Sequence, residues 1–176
     1  MHSAQSGDEG RAATAYDRLI DLLDQGGAGY RLIDHAPEGR TELVSELRGN
    51  TLAQAAKCIV VMVKLGKKTK RHVLAVVPGD RRVDLGAIKQ LLGGTYAGFA
   101  TPHIAEELAG SVSGTILPFS FHPDLELVVD PELLEHKEIY FNAALLDRSI
   151  ALPTSDYQSL AHPRTAPIAA NTVTEG

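Results

Sequence analysis

Apolar residues at Tyr16, Leu19, Ile20, Leu22 and Leu23 recur at helical spacing, and Gly26-Gly27 ends the helix they predict. Tyr30 to Ile33 reads as a short strand. Thr41 is placed to cap a helix through Leu47, with Leu43, Val44 and Leu47 on one face and Gly49 just past its end. A second short helix is expected over Leu52–Ala56. The pattern then changes. Cys58–Leu65 and His72–Val77 are apolar at consecutive positions, as strands covered on both faces are. They are expected at the centre of a sheet, joined as a hairpin by Gly66–Lys70.

Beyond the turn Pro78-Gly79-Asp80, Asp84 caps a predicted helix through Leu92 that Gly93-Gly94 ends. Tyr96–Phe99 is a short strand. Thr101-Pro102 opens another helix, with proline where its missing N–H costs nothing, and Gly110 closes it. Ser111–Phe121 reads as a loop or broken strand. Leu125–Val129, Lys137–Asn142 and Ser149–Ala151 are strands, Pro131–Leu134 is a helical turn and Thr154–Leu160 is a closing helix. Residues 1–12 are polar and without period, as disordered segments are, and residues 162–176 read as a flexible, dispensable C-terminal tail. Helices and hairpin-linked strands are interspersed, with no internal repeat. The expected fold is therefore α+β: a single domain over 13–161 with a mixed, curved central β-sheet flanked by helices.

The chain has 176 residues, enough to bury a core unaided, and a single cysteine excludes an internal disulfide framework. Its longest apolar run, Cys58–Val63, is too short to span a bilayer, and Met1–Arg11 lacks the apolar stretch of a secretory signal; a cytoplasmic protein is expected. The formal charge of −5 conceals a segregation. Lys57, Lys64, Lys67, Lys68, Lys70, Arg71, Arg81 and Arg82 face only Asp80 within 57–82, a segment of +7 against −12 elsewhere. A polyanion responds to that local field rather than to the average. Charge alone favours the plainer reading, a solvated hairpin tip with loose lysines.

Several chemistries are excluded by motif. Gly66-Lys67 lacks the upstream glycine of a phosphate loop, no G-x-S-x-G or H-E-x-x-H occurs, and no two of the seven histidines share metal-ligand spacing. Cys58 lies in an apolar strand and reads as an inert small hydrophobe. Strand alternation puts it opposite Lys57, so its sulfur is expected to point away from any site built there. Lys57 itself shares a face with Ile59, Val61 and Val63. An ammonium beside apolar walls needs a partner or loses its proton more readily, unless it snorkels to solvent. Gly114-Thr115-Ile116-Leu117-Pro118 is an apolar loop with a permissive residue at one end and a rigid one at the other. It is either a ligand-approaching loop or a plain turn.

The order of these segments resembles the YbaK/prolyl-tRNA-synthetase-associated editing domain family. The resemblance rests on Gln54-Ala55-Ala56-Lys57, on Val73-Leu74-Ala75-Val76-Val77-Pro78-Gly79-Asp80-Arg81-Arg82-Val83-Asp84-Leu85, on the G-x-x-x-P stretch Gly114–Pro118 and on Tyr140-Phe141-Asn142-Ala143. It spans about Tyr30 to Leu160, nearly all of the expected domain, as in free-standing members. The resemblance implies a trans-acting, metal- and cofactor-independent aminoacyl-tRNA deacylase. Its implied substrate is a mischarged tRNA, tRNA-Pro with a small wrong amino acid, and its implied partner is prolyl-tRNA synthetase. Lys57 matches the family's key lysine. Gly114, Thr115, Ile116, Leu117 and Pro118 match the loop lining the amino-acid pocket, and Asn142 falls in the late strand motif on the substrate side. Lys67, Lys68, Lys70 and Arg71 are the expected contacts to tRNA phosphates. Cys58 and Phe141-Asn142 depart from members that carry Asn and His-Pro there. The alternative function is a non-catalytic module of the same fold that holds tRNA ends or a synthetase.

Overall fold

The computed structural model describes residues 14–170. The N-terminal segment 1–12 and the last part of the tail, 171–176, lie outside the described residues. Thr14 starts helix α1 (Ala15–Gln25): its hydroxyl accepts from Asp17 N at 3.1 Å, and the Asp17 carboxylate accepts from Thr14 N at 3.2 Å. This reciprocal cap satisfies two amides the helix leaves free. Strand β1 (Arg31–Asp34) leads to α2 (Thr41–Arg48). Arg40, not Thr41, occupies the N-cap of α2. Glu38 takes both the Arg40 amide (2.9 Å) and its guanidinium (3.0 Å), which orders the chain ahead of Thr41.

Leu52–Gln54 forms a single 3-10 turn instead of a helix reaching Ala56, because Ala56 already pairs with Pro78. Strands β2 (Ala56–Leu65) and β3 (Thr69–Pro78) are antiparallel, in register from Ala56↔Pro78 to Leu65↔Thr69. Lys57 therefore lies within the strand, not before it. The remaining elements are α3 (Leu85–Leu92), β4 (Tyr96–Phe99), α4 (Pro102–Ala109), β5 (Leu125–Val129), β6 (Glu138–Asn142), β7 (Arg148–Pro153), α5 (Thr154–Ala161) and β8 (Arg164–Thr165). Asp84 and Thr101 cap α3 and α4 as expected, accepting from Ala87 N at 3.0 Å and Ile104 N at 3.4 Å.

The fold is α+β, and its strands divide between two sheets. One runs β4-β2-β3-β5-β8 and is mixed, with β3/β5 and β5/β8 parallel; the other is an antiparallel β1-β7-β6. A bridge between Ala55 and Tyr140 joins them at the start of β2. The consecutive apolar runs are explained by two cores. Val60, Leu74 and Val76 pack with Leu19, Leu23, Phe141, Ile150 and Tyr157, while Val61, Val63, Val73 and Ala75 pack with Ile88 and Ile168. The Tyr157 hydroxyl donates to Pro118 O at 2.7 Å inside the first core.

The flexible tail expected from His162 is corrected as far as Ala170. β8 pairs with β5, Ile168 is fully buried, and the buried Asp130 carboxylate accepts from Ile168 N (3.0 Å) and Ala169 N (2.8 Å). Ala166-Pro167-Ile168-Ala169 is too short to show a period. It is held by burial of one side chain and by backbone pairing, neither of which leaves a pattern in the sequence.

Candidate active site

β4 pairs with β2 only over Val61–Lys64. Among the described residues, Ala56–Ile59 thus have β3 on one side and no paired strand on the other; Ala100 N donates to Val60 O (3.0 Å) where the β4 ladder runs out, and the Ala55–Tyr140 bridge flanks the other end. A cleft of about 70 Å³ opens there, walled by β2 (Ala56, Lys57, Cys58), α2 (Thr41, Val44, Arg48), β6 (Phe141, Asn142) and two loop residues, Gly39 and Gly114, with Ile116 beside them.

Lys57 is half-buried, and burial lowers its pKa against the opposing pull of Glu42 and Asp80. No carboxylate among the described residues lies within ion-pair distance of it. Arg48 is the second cation on the wall. Its guanidinium donates only to neutral oxygens: Asn50 Oδ1 (2.9 Å), Ser149 Oγ (3.2 Å), Ser45 Oγ (3.4 Å) and Asn142 Oδ1 (3.5 Å). Desolvation pushes its pKa down to about 10. The cleft wall carries no Asp, Glu or His. It therefore offers positive charge and shape, not a carboxylate or imidazole base.

Asn142 is oriented by its neighbours. Its Nδ2 donates to Glu38 O (2.9 Å) and Gly114 O (3.0 Å), and its Oδ1 accepts from Ser149 Oγ (2.8 Å). It ties the Gly39 and Gly114 loops together across the rim. The loops meet backbone to backbone: a Cβ on Gly114 would sit 3.0 Å from Gly39 Cα, and Gly114 has φ +90°. Gly114→Ala is expected to destabilise the protein by about 1–2 kcal/mol or more through left-handed strain alone. The clash would also push the loops apart, so KM should rise at temperatures where the variant is still fully folded; thermal unfolding and steady-state kinetics on the same preparation separate the two effects.

The expected site residues are only partly brought together. Lys57, Gly114, Ile116 and Asn142 share the cleft. Thr115, Leu117 and Pro118 do not: all three are buried, Thr115 Oγ1 donates to Val112 O at 2.7 Å, Leu117 joins the first core and Pro118 O serves Tyr157. Thr115 and Leu117 turn inward on either side of Ile116, and Pro118 follows Leu117 into the interior, where the chain runs on to the buried Phe119. Cys58 also differs from expectation, for it lines the cleft beside Lys57. The cleft follows the free edge of β2, so neighbours on opposite faces both reach it. Burial pushes the Cys58 thiol well above its ordinary pKa, which keeps it protonated and non-nucleophilic. Cys58→Ala should keep turnover within a few-fold of wild type; loss of activity in a folded variant would point to covalent chemistry.

The basic hairpin is remote from the cleft. Lys57 and Leu65 are eight residues apart on β2, about 26 Å at ~3.3 Å per residue. Arg71 is not free there: it makes a two-pronged ion pair with Glu126, at 2.7 and 2.5 Å. Lys67, Lys68 and Lys70 are exposed. Sequence reasoning missed Arg48, whose place on α2 looks like a solvated helix end, and Gly39.

A two-sheet α+β domain with a small, cation-lined cleft at a strand edge agrees with the aminoacyl-tRNA editing family that the sequence resembles. The model of that family, the aminoacyl-tRNA editing domain, matches residues 35–160, and the chain belongs to it. The chain is 46% identical over 154 residues to the multifunctional Ser/Thr-tRNA deacylase ProXp-y of Escherichia coli (strain K12), covering 87% of this chain and 92% of that protein. Two solved structures share the fold. The hypothetical protein APE2540 has a TM-score of 0.78 at 21% identity over 87% of this chain and 99% of its own. A candidate trans-editing enzyme for prolyl tRNA synthetase has a TM-score of 0.73 at 22% identity over 91% and 99%. No helix among the described residues is long and apolar enough to cross a membrane.

Proposed function

We infer that the chain is a free-standing aminoacyl-tRNA deacylase that hydrolyses the ester between a small, wrongly attached amino acid and the terminal ribose of a tRNA. The observation that carries this reading is Lys57: a half-buried ammonium with no carboxylate partner among the described residues, in a cleft of about 70 Å³ walled by apolar and polar side chains alike. An aminoacyl ester is already activated. Water adds to its carbonyl carbon, the oxyanion collapses, and the ribose oxygen leaves and takes up a proton. Lys57 is assigned the charge that develops on the carbonyl oxygen, where a preorganised cation in a partly desolvated site acts most strongly. Ile116, Val44 and Phe141 shape the side-chain pocket. Asn142 and Gly114 hold its rim.

The family membership and the resemblance to a Ser/Thr-tRNA deacylase support serine and threonine as the first amino acids to test, followed by alanine, cysteine and 2-aminobutyrate. A pocket of this kind separates neighbours differing by one methylene only weakly, so activity on several is expected. tRNA-Pro is proposed as a carrier, with prolyl-tRNA synthetase as a partner tested by co-purification, and the cytoplasm as the place of action. A deacylation panel of tRNAs charged with these amino acids decides the reading. Failure to release any of them, with tRNA binding intact, would leave a non-catalytic binding module instead.

Lys67, Lys68 and Lys70 are assigned to tRNA phosphates. Their replacement by Gln is expected to raise KM severalfold, leave kcat nearly unchanged and flatten the salt dependence of kcat/KM. Unchanged KM at low salt would place the tRNA elsewhere. Arg71, held by Glu126, is not counted among these contacts.

A further inference from the structure

Behind the cleft, His35, Ser149, Asn142 and Arg48 form one hydrogen-bonded chain. His35 follows β1 and is half-buried, Ser149 on β7 is fully buried, and Asn142 on β6 is 7% exposed. β7 lies between β1 and β6, with Ser149 opposite Asn142 in the ladder, which brings the three together. The His35 ring spans two oxygens: Nδ1 lies 2.8 Å from Ala36 O and Nε2 lies 2.7 Å from Ser149 Oγ. The deacylase reading gives neither His35 nor Ser149 a task.

Counting protons fixes the charge on the ring. The Asn142 amide faces two carbonyls, Glu38 O (2.9 Å) and Gly114 O (3.0 Å), so its nitrogen points at them and its oxygen at Ser149. Asn142 Oδ1 only accepts, and the Ser149 hydroxyl at 2.8 Å is its near donor, Arg48 being 3.5 Å away. A hydroxyl has one proton. With that proton on Asn142, the link between Ser149 Oγ and His35 Nε2 takes its proton from the ring. Nδ1 faces a carbonyl and needs a proton as well. A neutral imidazole carries one N–H and an imidazolium two, so the chain closes only when His35 is charged. The two lone pairs of Ser149 then receive His35 and Arg48 (3.2 Å).

Loss of one ring proton breaks one link. The ring is held against the carbonyl of the next residue, whereas the Ser149 hydroxyl turns about a single bond. The remaining proton therefore stays on Nδ1, Ser149 swings its own to Nε2, and Asn142 Oδ1 loses its close donor. Resting on the deacylase reading above, we propose that His35 is a positioning residue whose charge sets the grip of Asn142 on the rim of the cleft. The imidazolium holds the Glu38–Gly39 and Gly114 loops together, and the neutral ring slackens them. Imidazole changes charge between about pH 5 and 8. The charged and titratable groups of the adjoining segments are Arg48 on α2, the Asp34–Arg148 pair with Tyr16 behind it, Asp147, whose carbonyl receives His35 N, and Glu38, paired with Arg40. Of these only the Arg48 side chain enters the hydrogen-bonded chain. Desolvation brings its pKa down only to about 10, so its charge is constant over the imidazole range.

The first test needs no substrate. In the full chain, nitrogen NMR from about pH 5 to 8 is expected to show both ring nitrogens of His35 protonated at the acid end. The Asn142 side-chain amide and the Gly114 backbone amide should move with the ring as it discharges. Ser149→Ala cuts the chain between ring and amide, so the two amides should no longer follow. With charged tRNA, wild-type KM should rise about three- to tenfold over the same range, the worth of one hydrogen bond, and kcat should not share the step. His35→Gln offers Ser149 a donor at every pH and should hold KM flat near its acid value. Ser149→Ala should hold it flat near the alkaline one. A KM step that survives in His35→Gln belongs to the substrate's own amino group and overturns the proposal. So do wild-type amides that ignore the ring. Amides that follow the ring in a protein that releases no amino acid would sink the deacylase reading and keep the device. Turnover with amides that ignore the ring would do the reverse.

Discussion

Lys57→Ala should fold normally and deacylate on the order of 10²–10³ more slowly in a single turnover, the usual cost of removing one preorganised group from an oxyanion. The residue is half-buried, has no ion-pair partner among the described residues and lies at the open start of β2, so its loss costs the cores little. The deficit should appear in the rate at saturating enzyme, because a charge that matters as the tetrahedral intermediate forms is not spent on ground-state binding. Lys57→Arg keeps the charge but is planar and larger, and in a cleft of about 70 Å³ it should rescue poorly. The pH dependence separates two roles. Burial lowers the Lys57 pKa, so its ammonium is lost at lower pH than that of an ordinary lysine. As an electrostatic clamp it acts when protonated. The enzymatic rate, after subtraction of spontaneous ester hydrolysis, should then fall on the alkaline side. A general-base lysine would give the opposite slope. A Lys57→Ala rate within a few-fold of wild type removes Lys57 from the mechanism.

The second large effect is on stability. A chain stopped at Pro163 should be substantially unfolded, or melt far below the full chain in circular dichroism. Truncation removes Ile168 from the second core, about 1.5–3 kcal/mol for a fully buried side chain. It also removes the two amides that hold one oxygen of the Asp130 carboxylate, 3% exposed in the intact chain, while the other oxygen keeps Glu132 N at 2.9 Å. Each hydrogen bond lost contributes about 0.5–1.5 kcal/mol, more where the acceptor is charged. These losses, with those of β8 and the Ala170–Arg82 backbone pairing, compare with a whole-domain margin of about 5–15 kcal/mol. Asp130→Asn in the full chain isolates the carboxylate. An unchanged melting temperature for the truncated chain would mean that 164–170 dock without contributing.

Much of this protein was legible in the sequence because the relevant signals are local. The double-sided apolar runs marked β2 and β3 as central, Asp84 and Thr101 announced their helices, and Lys57 and Gly114 stood out as a lysine beside apolar strand residues and a glycine opening an apolar loop. Each of these depends on chemistry within a few residues along the chain. Tertiary structure decided what depends on partners far away in sequence. Arg48 becomes a cleft cation only because Ser149 and Asn142 come over it from β7 and β6, about a hundred residues on. Asn142 became a clasp between two loops because Glu38 and Gly114 converge on it. Cys58 lines the cleft because no strand pairs with that edge of β2 beside it once the β4 side ends at Val60. Arg71 left the set of free cations because β5 lies parallel to β3 and brings Glu126 opposite. The tail became part of the core through a single isoleucine and a carboxylate reaching it from beyond β5. Period and propensity describe a residue's own segment. Burial, pairing and charge compensation are set by what the fold places across from it.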